Sequence, residues 1–190
     1  MKRKLFKKVL ATSISVTLAF APLVGNACTS FLLKGSDGGY VYGRSMEFGL
    51  PLNSQLTTIP RAYALKGIGV DGKYGSGLNW STKYAATGMN ALGLPELVDG
   101  MNEKGLIGGV LNFPNSAAYQ AVTQAESASS INSVQVLTYA LTNFATVDEV
   151  RAGLPKIKVN GAKLAVYGNQ TPPVHYTFHD SNGKSIVVEY

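Results

Sequence analysis

Cys28 is the only cysteine in the chain and follows directly on Gly25-Asn26-Ala27. Small residues at the −3 and −1 positions are what signal peptidase reads, so cleavage after Ala27 is expected to make Cys28 the first residue of the mature protein. A leading cysteine has what no internal cysteine has, its own α-amine. An α-amine ordinarily titrates near about 7.7–8.0 and a thiol near about 8.5, so one takes the other's proton close to neutral pH. Such a nucleophile carries its general base on the same residue and needs no histidine. A nearby cation favours the thiolate further, and Arg44 is the candidate. Glu47 is the candidate group to hold the α-amine. Arg44 and Glu47 are three apart, however, and alternate residues of a strand face opposite ways, so a bulge or twist is needed to turn both toward Cys28.

The same residues admit other chemistry. With one cysteine no internal disulfide forms, and an odd cysteine in an exported protein points to a reactive thiol, lipid attachment or pairing with another chain. A cysteine after a signal is also the lipoprotein pattern, but Gly25 stands at −3 where leucine is wanted and Asn26 is bulky for −2. His175 and His179 lie four apart and could share one side of a strand as a metal pair. No third ligand accompanies them, and they read as surface or core histidines, with no metal or cofactor expected. Residues 67–77 are glycine-rich but lack the spacing of a phosphate-binding loop.

The flanking composition sets the context. Lys2, Arg3, Lys4, Lys7 and Lys8 precede an apolar run, Val9 to Val24, broken by Pro22. Residues 1–27 therefore read as a secretory signal, too short and too polar for a membrane span. Secretion or a periplasmic location follows, with an uncleaved anchor helix as the alternative. Of 17 Lys and Arg, five lie in that segment, which leaves 12 against 11 Asp and Glu in residues 28–190. The basic balance belongs to the export signal, and no nucleic-acid partner is implied. The 163 residues from Cys28 suffice for one domain with a core.

These residues need elements to hold them. Thr29 to Lys34, a Ser36-Asp37-Gly38-Gly39 turn and Tyr40 to Phe48 predict a β-hairpin that begins at the nucleophile. Strands are predicted at Gln55 to Leu65, with Pro60 at a bend, at Tyr84 to Met89, and at Leu106 to Phe113 after an Asn102-Glu103-Lys104-Gly105 turn. Ala117 to Ser130 reads as a loop. Val134, Leu137, Leu141 and Phe144 recur at helical spacing, with Asn132 or Ser133 as N-cap. Thr146 and Glu149 fit a capping box opening a second helix, Val147 to Leu154. Strands return at Lys163 to Tyr167, Val174 to His179 and Lys184 to Tyr190, the last two joined through Asn182-Gly183. Strands, two helices, then strands predict an α+β fold with helices on an antiparallel sheet. The last strand reads as unfinished at Tyr190, so the chain is expected to be the N-terminal portion of a longer domain.

At Cys28-Thr29-Ser30, Gly43-Arg44-Ser45-Met46-Glu47 and Asp99-Gly100-Met101-Asn102-Glu103-Lys104-Gly105-Leu106 the sequence resembles the choloylglycine hydrolase family of N-terminal nucleophile hydrolases, which includes bile salt hydrolases and penicillin V acylases. Further matches at Pro60-Arg61, Asn143 to Glu149, His175 to Phe178 and Gly183 to Glu189 extend the resemblance over residues 28–190. It implies an αββα sandwich, two helix-covered antiparallel sheets, here in part. It also implies hydrolysis of a linear amide in an N-acylated small molecule: penicillin V, a conjugated bile salt or an acyl-homoserine lactone. By this resemblance Cys28 is the nucleophile, Arg44 the active-site arginine, and Glu47 stands where aspartate is usual. Asn112 matches the position whose backbone N–H helps form the oxyanion hole. Asparagine there is similar to bile salt hydrolases, whereas Asn79 to Tyr84 is similar to acylases of bacteria with an outer membrane, so the substrate stays open. The resemblance places a second oxyanion asparagine and a second arginine beyond this length. A catalytically incomplete fragment or a lipid-anchored exported binding protein is the alternative, and a homo-oligomer is left open.

Overall fold

A computed structural model describes residues 28–190; the candidate signal segment, 1–27, lies outside the described residues. Twelve strands are present among them: β1 Ser30–Lys34, β2 Tyr40–Arg44, β3 Leu56–Ile59, β4 Ala64–Leu65, β5 Trp80–Ser81, β6 Ala86–Asn90, β7 Leu97–Asn102, β8 Ile107–Asn112, β9 Ser130–Asn132, β10 Lys158–Asn160, β11 Val174–His179 and β12 Ser185–Val188. Two α-helices, α1 Val136–Asn143 and α2 Val147–Gly153, fall between β9 and β10.

Six strands form one antiparallel sheet in the order β12-β11-β8-β7-β6-β3. Successive residues of a strand face opposite sides, and two adjacent glycines of β8 show what covers each side. A Cβ on Gly108 would lie 3.0 Å from Leu137 Cδ1 of α1, whereas one on Gly109 would meet Tyr42 and Arg44 of β2. The helices therefore pack on one face and the β1–β2 hairpin on the other. The helix face holds the core, in which Leu97, Leu106, Leu137, Leu141, Val150, Tyr176 and Phe178 are buried. This is the α+β layering expected, with a helix layer on one face of the six-stranded sheet and the two-stranded β1–β2 hairpin on the other among the described residues.

Local chemistry fixes the elements. Asp37 Oδ1 accepts from Gly39 N at 3.0 Å and Gly38 takes a positive φ of 86°, which closes the β1–β2 turn. Asn132 Oδ1 accepts from Val134 N at 3.2 Å at the head of a short 3₁₀ turn leading into α1. Thr146 Oγ1 caps α2 at Glu149 N (3.2 Å), while the Glu149 carboxylate reaches back past the cap to Ala145 N (2.8 Å).

Several expectations are corrected. The second strand stops at Arg44, four residues before Phe48, because at the next rung the Ser45 hydroxyl, in place of its carbonyl, accepts the Thr29 N–H. Lys163–Tyr167 is no strand: Ala165–Tyr167 forms a 3₁₀ turn, closed by left-handed Gly168 and Asn169. Residues 117–130 contain a 3₁₀ helix, Gln124–Ser129, under a Thr123/Glu126 capping box. The unforeseen β10 pairs in parallel with β9. The unforeseen β7 is the more consequential, because its Asp99 and Gly100 are poor strand formers. It is held by pairing on both sides, and Gly88 allows the approach, since a Cβ there would lie 1.9 Å from Asp99 O.

Candidate active site

The hairpin brings Cys28 to the end of the sheet. Thr29 O accepts from Ser45 N (2.9 Å) and Ser45 Oγ accepts from Thr29 N (3.1 Å), which continues the ladder one step beyond Ser30↔Arg44. Cys28 is half-buried, and its Sγ lies 3.8 Å from Glu47 O as a weak donor. Because β2 ends at Arg44, residues 45–48 are free of strand alternation. That removes the parity conflict between Arg44 and Glu47, and both line the cleft that contains Cys28.

Arg44 lies against the sheet with its side chain only 6% exposed. Nη1 donates to Val98 O at 3.0 Å, Nε donates to Ser45 O at 3.2 Å, and Nε is 3.6 Å from Asp99 Oδ2. Nη2 is buried and has no hydrogen-bond partner. Tyr42, two residues earlier and on the same side of β2, donates to Asp99 Oδ2 at 3.4 Å. Burial, and then the Asp99 charge, push the Tyr42 phenol up to about 12, so it remains a donor across the physiological range. Burial also raises the Asp99 carboxyl above its ordinary value, outweighing the opposing pull of Arg44.

Asn112 lies at the end of β8, where that strand outruns its neighbour. The β7–β8 pairing ends at Asp99↔Gly109, whereas β8 pairs with β11 as far as Val174↔Asn112. Phe113 N donates to Pro173 O on the β11 side. Alternation along an antiparallel ladder then turns the Asn112 N–H the other way, toward the gap left by β7. The cleft occupies this end of the sheet. Besides Cys28, Arg44, Glu47 and Asn112 it is lined mainly by apolar groups, among them Met46, Phe48, Leu52, Val98, Val110 and Tyr167. A second cavity shares Ala91, Val98, Val110, Tyr167 and Val174 and reaches Glu96. Glu96 is 5% exposed, accepts from Tyr74 Oη (2.8 Å) and Gln135 Nε2 (3.0 Å), and has its carboxyl raised by burial.

All four expected site residues thus border one cleft. The two histidines instead part company. His175 stacks on Phe113 (4.6 Å between centroids) and approaches Glu189, while His179 meets Ser185 Oγ at 2.7 Å and lies beside Tyr42. No group of three metal-ligating side chains converges among the described residues. The sequence reading missed Tyr42 and Asp99. The signal for Asp99 was available, since it opens the Asp99–Leu106 motif that carries the family resemblance.

The sequence profile of the linear amide C–N hydrolases, choloylglycine hydrolase family, matches residues 28–190. The chain belongs to this family. It is 33% identical over 164 residues to the bile salt hydrolase/transferase of Clostridium perfringens, covering 85% of this chain and 47% of that protein. It is 30% identical to the penicillin V acylase of Pectobacterium atrosepticum, covering 98% of this chain and 50% of the acylase. The fold is similar to a mutant of the conjugated bile acid hydrolase of Clostridium perfringens, with a TM-score of 0.70 and 30% identity over 86% of this chain and 48% of that one. The chain spans about half the length of these members of the family.

Proposed function

We propose that the protein hydrolyses the linear amide bond of an N-acylated small molecule, with Cys28 as the nucleophile. The observation that carries this reading is the convergence of Cys28, Arg44, Glu47 and Asn112 on one apolar cleft. The protein is exported, and removal of residues 1–27 frees the α-amine of Cys28. The α-amine takes the thiol proton, the sulfur attacks the carbonyl carbon, and a C–S bond forms as the carbonyl oxygen becomes an oxyanion. The Asn112 N–H donates to that oxygen; loss of one such donor typically costs about 10²–10³ in rate. Collapse breaks the C–N bond as the α-amine passes its proton to the leaving amine. Water then attacks the thioester, releases the acyl group as an acid and restores the thiol. Arg44 steadies the thiolate, and Glu47 holds the protonated α-amine from its exposed position at the cleft.

The apolar walls suit an acyl group, and similarity to a penicillin V acylase and a bile salt hydrolase supports penicillin V and conjugated bile salts as the first substrates to assay, with an acyl-homoserine lactone as the third of the panel. In that panel, Cys28→Ser is expected to abolish hydrolysis by the exported protein while leaving its circular dichroism spectrum unchanged. Turnover that survives this substitution would remove Cys28 from the mechanism.

A further inference from the structure

We propose that Asp99 is a positioning residue that aims Arg44 into the cleft. The inference rests on the reading of Cys28 as nucleophile and Arg44 as its neighbouring cation. Asp99 stands at the last position of β7 paired to β8, opposite Gly109, and directly opposed residues share a face of the sheet. That face is the one covered by β2. Gly109 leaves the space in which Tyr42 and Arg44 lie against the sheet.

The contacts of the guanidinium fix it at two of its three nitrogens. Nε and Nη1 are occupied by Ser45 O, Val98 O and the Asp99 carboxylate, while buried Nη2 has no partner. The two carbonyls supply direction, and Asp99 is the one carboxylate in ion-pair range of Arg44 among the described residues. Tyr42 fixes the carboxylate in turn by donating to the same Oδ2. A guanidinium held at both Nε and Nη1 is fixed in orientation at the wall of the cleft that contains Cys28. The carboxylate is itself poorly solvated at 23% side-chain exposure, and burial favours its neutral form. A charge kept in a place that disfavours it is not explained by stability; holding Arg44 explains it.

The tether and the bare charge predict opposite signs. As a negative charge near the site, Asp99 opposes the thiolate, so its removal would make Cys28 more reactive. As a tether it keeps Arg44 in place, so its removal makes Cys28 less reactive. The test uses the protein beginning at Cys28 and follows the rate of Cys28 alkylation by iodoacetamide against pH. It compares wild type, Asp99→Asn, Asp99→Ala, Arg44→Ala and the Asp99→Ala/Arg44→Ala double variant. The near-isosteric Asn variant keeps the measurement available if alanine impairs folding.

Both Asp99 variants are expected to move the profile to higher pH, slowing alkylation at pH 7 by about threefold or more, as half a pH unit requires. In the Arg44→Ala background the Asp99 substitution is expected to change nothing, because its effect runs through Arg44. A shift to lower pH, no shift, or an equal shift in both backgrounds overturns the proposal. If Arg44→Ala also leaves the profile unmoved and Cys28→Ser still turns over substrate, the underlying reading of the site fails instead.

Discussion

Gly109→Ala tests whether the hairpin rests on the sheet at the point that holds Arg44. In an ordinary strand interior, glycine to alanine stabilises by roughly 0.5–1 kcal/mol. Here the added Cβ would stand 2.5 Å from Tyr42 Oη and 2.9 Å from Arg44 Nη1, both inside contact distance. Neither neighbour can yield freely. Tyr42 is held between Asp99 Oδ2 at 3.4 Å and the His179 ring at 5.4 Å, and Arg44 Nη1 is held at 3.0 Å from Val98 O. Overpacking costs about 1–3 kcal/mol; with neither neighbour free to yield, a cost of about 2–3 kcal/mol set against a gain of up to about 1 kcal/mol leaves a net loss of about 1–2 kcal/mol.

At about 2–4 °C per kcal/mol for a domain of this size, the midpoint of thermal unfolding should fall by about 2–8 °C. Gly49→Ala is the control, because a Cβ there meets nothing within 4 Å, and it should not lower the midpoint. Hydrolysis measured well below the unfolding range should fall in Gly109→Ala by about tenfold or more, since misplacing a site group by around 1 Å can cost about 10². The decisive readout is therefore activity in fully folded protein. An unchanged or higher midpoint with full activity would refute the account of how β2 lies on β8.

Two further outcomes follow from buried polar groups. Asn102, 3% exposed, donates through Nδ2 to Leu141 O (2.8 Å) and Phe144 O (2.7 Å) and accepts from Lys104 N and Leu106 N (3.0 Å each). Asn102→Ala is expected to lower stability by about 2–4 kcal/mol in urea unfolding, because it strands buried partners at about 1–3 kcal/mol apiece with partial relaxation. Glu96→Gln should change stability with a pH-dependent sign. Burial raises the Glu96 carboxyl above its unfolded value, so its stabilising contribution is complete below the unfolded value and is lost as pH rises through the folded one. Relative to wild type, the Gln variant should therefore be more favourable at pH 8 than at pH 4 when urea midpoints are compared.

What could be read from the sequence was what local chemistry decides. The Asp37-Gly38-Gly39 turn, the helical spacing through Leu137 and Leu141, and the Asn182-Gly183 hairpin each contain their own instruction, and each forms where expected. Lys163 to Tyr167 had the apolar content of a strand, yet Gly168 and Asn169 accept the left-handed conformation and close a turn there instead. β7 was illegible for the opposite reason. Asp99 and Gly100 at its middle argue against a strand locally, and only the ladders to β6 and β8 override them. At the site, the sequence singled out Cys28, Arg44 and Glu47, and the structure places all three on one cleft. Their geometry could not be read, because where β2 stops depends on Ser45 bonding back to Thr29.

The strand that was hardest to read is the one on which the site depends. A uniform β7 of good strand formers would pair with β8 along its whole length and face the hairpin with branched side chains. Instead its pairing to β8 ends at Asp99, and two consequences share that origin. Val98, just past the last paired residue, has its carbonyl in reach of Arg44 Nη1. Asn112, three residues farther along β8, has its N–H turned toward the side that β7 has left. One end to a ladder thus supplies both an anchor for the cation and a free donor in the cleft that contains Cys28. A carboxylate at that same position then decides which way the cation points.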